Sequence, residues 1–217
     1  MKEIFPGVFL INNRLATENS VLGYKPFDEE LLKVGKKEFR VWNPTRSKAA
    51  AAIKKGIKEF PIKKDIKMLY LGAAHGYTPS FLSNIIDKKG IIYAVEFSER
   101  CFNELLILCL KYKNIVPILA DARKPELYQW VEKVDVVYCD IAQPDETEIA
   151  IRNCKEFLKP KGYLMLAIKS RSIDVTKSPK EVYKNEIGKL KKAGFKIVDW
   201  KTLDPLERAH AFIVARF

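Results

Sequence analysis

From Pro61 onward the chain alternates short apolar runs with helical segments, and this alternation constrains the fold more than any other feature. The runs are Met68 to Leu71, Ile91 to Phe97, Ile115 to Ala120, Val134 to Ile141 and Tyr163 to Ile168. Short runs of this kind read as strands buried on both faces, which requires a mainly parallel sheet with helices covering each side. The pattern breaks near the C-terminus. Phe195 to Leu203 and Ala211 to Phe217 are both strand-like, and Asp204-Pro205 with a few polar residues leaves no room for a helix between them. Strands joined so briefly pair antiparallel, as a purely parallel dinucleotide-binding sheet does not. The expected fold is therefore α/β, a Rossmann-like seven-stranded methyltransferase sheet ending in an antiparallel hairpin.

Residues 1–45 differ. Val8-Phe9-Leu10-Ile11, Arg14-Leu15-Ala16-Thr17 and Phe39-Arg40-Val41-Trp42 are β-like and separated by Asn12-Asn13 and a Gly/Pro-containing stretch. They predict a small β-rich N-terminal domain. From Ser47 the run Ala49 to Ala52, with Ile53, predicts a helix reaching about Phe60 and stopping at Pro61. The catalytic domain is accordingly expected over 46–217.

The net charge of +12 favours a polyanionic partner, because attraction to phosphate needs no sequence-specific contact. A Lys/Glu-rich surface of the hyperthermophile kind would supply many lysines without any partner. The four cysteines are too far apart in sequence for a Cys-x-x-Cys pair, and with two histidines no zinc spacing appears. No metal is expected, and the thiols read as reduced. Phe5-Pro6-Gly7 interrupts the N-terminus before an apolar signal-peptide core can form, and no apolar run reaches the roughly 18 residues of a membrane span. A cytoplasmic protein without membrane contact is expected.

The turn Leu71-Gly72-Ala73-Ala74-His75-Gly76 follows the first strand of the alternating region and precedes a helix starting near Thr78-Pro79. Glycines there let backbone approach a ligand, although glycine after a strand often serves packing alone. Glu96 ends the next strand, 24 residues after Gly72, where a carboxylate accepts ribose hydroxyls. The spacing lacks the middle glycine of a dinucleotide motif, and Pro79 removes an N–H from the helix start. S-adenosylmethionine, which has no phosphate, suits it better. Asp121-Ala122 closes the third strand, where Asp121 reads either as an adenine contact or as a cap before Lys124-Pro125.

Asp140 and Lys169 end the fourth and fifth strands, on the edge that carries Gly72, and are expected within reach of one another. A lysine of lowered pKa could assist deprotonation of a ribose 2′-hydroxyl for in-line methyl transfer; an ordinary edge salt bridge is the plainer reading. Arg46 and Lys48 lead into the alanine-rich helix and His210 begins the last strand. Each is ambiguous by itself.

The chain resembles fibrillarin, the RNA 2′-O-methyltransferase family of box C/D ribonucleoproteins, in its short archaeal form without a Gly/Arg-rich tail. The resemblance lies in Arg14-Leu15-Ala16-Thr17, Trp42-Asn43-Pro44-Thr45-Arg46-Ser47-Lys48, Tyr70-Leu71-Gly72-Ala73, Val134-Asp135-Val136, Asp140-Ile141-Ala142-Gln143-Pro144 and Ala167-Ile168-Lys169-Ser170-Arg171-Ser172-Ile173-Asp174-Val175-Thr176-Lys177. It implies guide-RNA-directed methylation of target-RNA ribose in rRNA and tRNA, a scaffold protein, a kink-turn-binding protein and compatibility with a homodimer. The absence of RRM and KH signatures agrees with specificity coming from guide pairing. The resemblance also implies a catalytic core of Lys169 and Asp140 with Arg46 and His210 around it. Cofactor contacts are implied at Gly72, Ala73, Gly76, Tyr77, Thr78, Glu96, Phe97, Asp121, Ala122, Asp140 and Gln143. The chain departs from the family pattern at His75 and Tyr77 in the turn, at Cys139 where an acid usually precedes Asp140, and at Ala209 where an Asp usually precedes His210. Those departures leave a second reading, a structural ribonucleoprotein subunit with a degenerate cofactor site. A small-molecule methyltransferase would call for a lid domain that the sequence does not offer.

Overall fold

A computed structural model describes residues 1–217. The N-terminal part is a five-stranded antiparallel sheet of β1 (Lys2–Phe5), β2 (Val8–Ile11), β3 (Arg14–Glu18), β4 (Leu31–Val34) and β5 (Lys37–Val41), in the order β1-β2-β3-β5-β4. The sequence pattern predicts β2, β3 and β5. The two unforeseen strands, β1 and β4, form the sheet edges, where four-residue runs carrying Lys2, Glu3 and Lys33 have little apolar alternation to betray them.

The second sheet has seven strands: β6 (Lys67–Leu71), β7 (Ile91–Glu96), β8 (Ile115–Leu119), β9 (Val134–Cys139), β10 (Leu158–Lys169), β11 (Lys196–Thr202) and β12 (His210–Arg216). Their order is β11-β12-β10-β9-β6-β7-β8. The pairs from β10 through β8 are parallel, whereas β12 runs antiparallel to both β10 and β11, as the missing crossover helix required. Beside this sheet lie α1 (Lys48–Lys54), α2 (Tyr77–Ile86), α3 (Glu99–Cys109), α4 (Glu146–Phe157), α5 (Ser170–Ile173) and α6 (Pro179–Lys192). Two apolar clusters fill the two faces of the sheet. One joins Met68, Tyr70, Tyr138 and Phe212 to α1, α2 and the N-terminal Trp42; the other joins Leu69, Val137, Leu166 and Ile213 to α4 and α6. No helix is long and apolar enough to cross a membrane.

Helix α1 is shorter than its composition predicts. It ends at Lys54 because Gly56 takes a left-handed φ of 78° and the chain closes in a Schellman turn, with Gly56 N–H donating to Ile53 O and Ile57 N–H to Ala52 O, both at 3.0 Å. Its alanines, all wholly buried, let the helix pack close against the sheet. This brings Ser47 and Lys48, at its N-terminus, to the carboxyl ends of the central strands.

Arg40 of β5 is fully buried and fastens the two sheets together. Its guanidinium donates to Glu29 Oε1 at 2.6 Å, Tyr112 Oη at 2.7 Å, and Ser80 Oγ and O at 3.1 and 3.3 Å, and it lies 4.1 Å over the Phe81 ring. Ser80 and Phe81 belong to α2, the helix that follows the glycine turn. Arg40→Leu leaves Glu29 buried without its cation, and the expected loss is about 3–5 kcal/mol of unfolding free energy, measured by urea denaturation. A change below about 1 kcal/mol would mean that the sheets are held by apolar packing alone.

Candidate active site

The chain leaves β6 in one direction to build β7 and β8, then returns to place β9 on the other side of β6. A crevice opens beyond the carboxyl ends of strands at such a reversal. Gly72 follows β6 and Asp140 follows β9, and the two strand ends are stitched by Asp140 N–H donating to Leu71 O at 3.0 Å. At Gly72, φ is 82° and a Cβ would stand 2.5 Å from Asp140 O, so no other residue fits without parting the strands. Gly76 also has positive φ, but its added Cβ would strike Leu105 and Leu108 of α3 and not the crevice. Gly76, predicted as a cofactor contact, lines neither cleft described below. The clash at Gly76 is with the flexible ends of the two leucines, so the positive φ is what favours glycine there.

Two adjoining clefts share Gly72, Ala74 and Asp140. The first, about 170 Å³, is lined by Glu96, Phe97, Asp121, Ala122, Ile141 and Gln143 among others. Glu96 is buried, and its two oxygens accept the N–H groups of Ala74 and Ser98 at 2.8 Å each, which fixes the carboxylate while leaving lone pairs for a diol. Phe97 is 67% exposed and offers a ring at the rim. Asp121 accepts Arg123 N–H at 2.9 Å and pairs with its guanidinium, which holds the carboxyl below its ordinary range. It therefore both caps this turn and lines the cleft. An adenosine-sized group with a ribose diol fits this donor and acceptor set.

The second cleft, about 360 Å³, is lined by Arg46, Tyr70, Ala73, His75, Tyr77 and Thr78 among others. Arg46 is held flat, its guanidinium 4.6 Å from the centre of the Tyr77 ring and donating to Phe27 O at 2.9 Å. Thr78 Oγ1 donates to Ser47 Oγ at 3.0 Å, tying the turn to the cap of α1. A larger groove of about 500 Å³ lies at the opposite strand ends, between Lys58–Lys63 and Lys159–Tyr163, where Lys159 and Asp135 neutralise each other at 2.7 Å.

The expected Asp140–Lys169 pair does not form. Asp140 Oδ1 is bound by Lys48 Nζ at 2.8 Å, because α1 crosses the strand ends and delivers Lys48 first. Burial disfavours the Lys48 charge, but Asp140, with Glu207 and Glu146 farther off, outweighs this and raises its pKa. Lys169 ends β10 with an exposed side chain, directly opposite His210 in the β10–β12 register. His210 is half-buried. Burial lowers its pKa and the Lys48 charge adds to this, against the Arg208 carbonyl, so the ring is neutral near pH 7. Its Nδ1 lies 2.7 Å from Arg208 O and must be the protonated nitrogen, which leaves Nε2 as an acceptor. Arg46 and Asp140 thus line the second cleft, whereas Lys169 and His210 line neither, although His210 is near enough to Lys48 and Asp140 to feel their charges.

The departures from the family pattern do not block either cleft. His75 leans towards Glu104 at 3.7 Å. Cys139 is wholly buried, which pushes its thiol far above the usual range. Ala209 adopts φ 59°, and its carbonyl accepts both Ser170 N–H and Oγ–H.

Glu146, at the start of α4, was not foreseen. Its side chain is wholly buried and Oε1 accepts the Lys169 N–H at 3.2 Å. Burial drives its pKa up to about 9 against that hydrogen bond, and Asp140 and Glu186 push the same way. In the unfolded chain Glu146 ionises near 4.5, so between about 4.5 and about 9 the folded protein holds the extra proton and stability falls as pH rises. Glu146→Gln removes this penalty. The variant is expected to unfold at higher denaturant concentration than the parent at pH 7.5, by up to about 4 kcal/mol, with the gain vanishing near pH 4.5. A gain that does not depend on pH would contradict a protonated Glu146.

The family model described as Fibrillarin matches residues 1–217. A fibrillarin-like rRNA/tRNA 2′-O-methyltransferase of Methanocaldococcus jannaschii is 51% identical over 220 residues, spanning 99% of this chain and 95% of that protein. Aeropyrum pernix fibrillarin, solved with natively bound S-adenosyl-L-methionine, superposes with a TM-score of 0.88 at 46% identity over 96% of this chain and 92% of that one. A fibrillarin chain solved in a fibrillarin/Nop5p complex gives 0.91 at 43% identity, with all of both chains covered. With the family model matching the whole chain and a relative 51% identical over 99% of it, the chain belongs to the fibrillarin family.

Proposed function

We infer that this chain transfers the methyl group of S-adenosylmethionine to ribose 2′-hydroxyls of rRNA and tRNA, directed by guide RNA within a box C/D ribonucleoprotein. The observation that carries the reading is the pair of adjoining clefts meeting at Gly72 and Asp140. One suits adenosine, and the other is walled by Arg46 and Asp140, whose strand β9 lies next to β10, the strand that ends on Lys169. S-adenosylmethionine supplies an electrophilic methyl when bound. Glu96 would hold its ribose, with the base in the cleft lined by Phe97, Asp121, Ala122 and Gln143. Ala73, Tyr77 and Thr78, which line the second cleft, would take its methionine end.

Lys169 takes the proton of the target hydroxyl as its oxygen attacks, and the proton ends on Nζ. The lysine must be neutral to do so. The Lys48–Asp140 pair engages the neighbouring strand-end carboxylate, and Lys169 itself forms no salt bridge. Neutral His210 stands opposite Lys169 in the strand register with Nε2 free to accept. Arg46, braced on Tyr77, contacts the RNA backbone.

The net charge of +12 suits an RNA partner, and the relatives named for rRNA/tRNA methylation and solved with Nop5p support a scaffold protein. A kink-turn-binding protein completes the proposed particle. The competing reading, a structural subunit with a degenerate cofactor site, is disfavoured because the turn, Glu96 and both clefts are intact.

Lys169→Ala is expected to lower single-turnover methylation in the assembled particle by about 10²-fold or more, while S-adenosylmethionine binding measured by calorimetry stays unchanged. Unchanged transfer would remove Lys169 from the reaction. A target with a 2′-deoxy nucleotide should accept no methyl, and methylation of it would refute the hydroxyl assignment.

A further inference from the structure

The parallel pairing of β9 with β10 stops at Leu166 opposite Cys139, whereas β12 continues alongside β10 as far as Lys169 opposite His210. The last residues of β10 therefore lose their strand partner on the β9 side just where the proposed base is presented. A buried N–H without a partner there is costly, and a strand end without one is loose. Glu146 takes the place of the missing strand, its Oε1 accepting the Lys169 N–H at 3.2 Å. On the β12 side, Ala209 O accepts the N–H and Oγ–H of Ser170 at 3.1 and 2.9 Å. The peptide that carries Lys169 is clamped from both sides.

We propose that Glu146 is a positioning residue for Lys169: its buried carboxyl, standing in for the absent strand, fixes the end of β10 and with it the bearing of the Lys169 amine on the target hydroxyl. The inference rests on Lys169 being the base.

The surroundings decide in which form Glu146 does this. Asp140 faces it from the end of β9, Glu186 from α6, Lys48 from α1 and the Cys139 thiol from β9. Glu186 is itself held by Lys189, which also reaches Glu148. Glu146 Oε2 and Glu186 Oε2 are both buried with no hydrogen-bond partner. An ionised Glu146 would leave a charged oxygen without a donor beside two other carboxylates and one ammonium already bound to Asp140. The neutral acid is the form that fits, its carbonyl oxygen accepting the Lys169 N–H. A glutamine oxygen would accept the same N–H.

The test is single-turnover methylation by the assembled particle at pH 7.5 with Glu146→Ala and Glu146→Gln. Glu146→Ala should lower the transfer rate by about tenfold or more with the dissociation constant for S-adenosylmethionine and the target-RNA dependence unchanged, since a misplaced base costs rate and not binding. Glu146→Gln, whose amide oxygen accepts the same N–H, should keep the parental rate. Equal rates for the parent and Glu146→Ala, or a Glu146→Gln rate as low as that of Glu146→Ala, would overturn the proposal. If Glu146→Ala does not fold, the same comparison is made with Glu146→Met, which fills the space without an acceptor. Loss of transfer in Lys169→Ala with parental behaviour in both Glu146 variants would refute Glu146 alone; retained transfer in Lys169→Ala would remove the base itself.

Discussion

The apposition of Gly72 and Asp140 is the constraint on which the rest of the site depends. The two strand ends approach so closely that a single Cβ at Gly72 would press within 2.5 Å of a backbone oxygen. That closeness brings the cofactor turn and the acidic strand end to one crevice. From it follow the Glu96 bond to Ala74 N–H, which shapes one cleft, and the Lys48–Asp140 pair, which borders the other. The ligand edge of this sheet is thus set by backbone geometry at a reversal of strand order, and side chains supply the chemistry afterwards.

Around that junction the protein buries ionisable groups at a cost. Arg40 with Glu29 clamps the N-terminal sheet to α2, and Glu146 sits with Glu186 behind Lys169. Replacing both members of such a pair by apolar residues of similar volume often costs little, whereas removing one alone is costly, so the value of the pair lies in fixing one arrangement. Here they fix the two elements that meet the ligands: the helix leaving the glycine turn, and the strand end presenting Lys169. The N-terminal sheet reaches the site as well, because Phe27 O holds the Arg46 guanidinium that stacks on Tyr77.

Much of this was legible in the residues. Uninterrupted apolar runs marked the parallel strands, and Asp204-Pro205 without a helix marked the antiparallel ending. Glu96 was placed by its strand-end position. The misses share a cause: they depend on which element crosses which. Gly76 has the residue type of a ligand turn but lines neither cleft, visible only once the turn is folded. Adjacent strand ends suggested Asp140 with Lys169, but Lys48 arrives from a helix far away in sequence. The early end of α1 was readable in Lys55-Gly56, a helix-stopping pair that the alanine run overshadowed. Glu146 carried no such signal, since an acid at the start of a helix ordinarily complements the helix dipole in solvent.

The central claim is that the Gly72–Asp140 junction makes the cofactor cleft. Titration calorimetry of S-adenosylmethionine into the parent protein and into Gly72→Ala tests it most directly, with circular dichroism verifying that the variant stays folded. Saturable one-to-one binding by the parent and a weakening of about 10²-fold or more in the folded variant are the predicted results, since the added methyl group must part the strand ends. Equal affinities, or no binding by the parent, would contradict the claim.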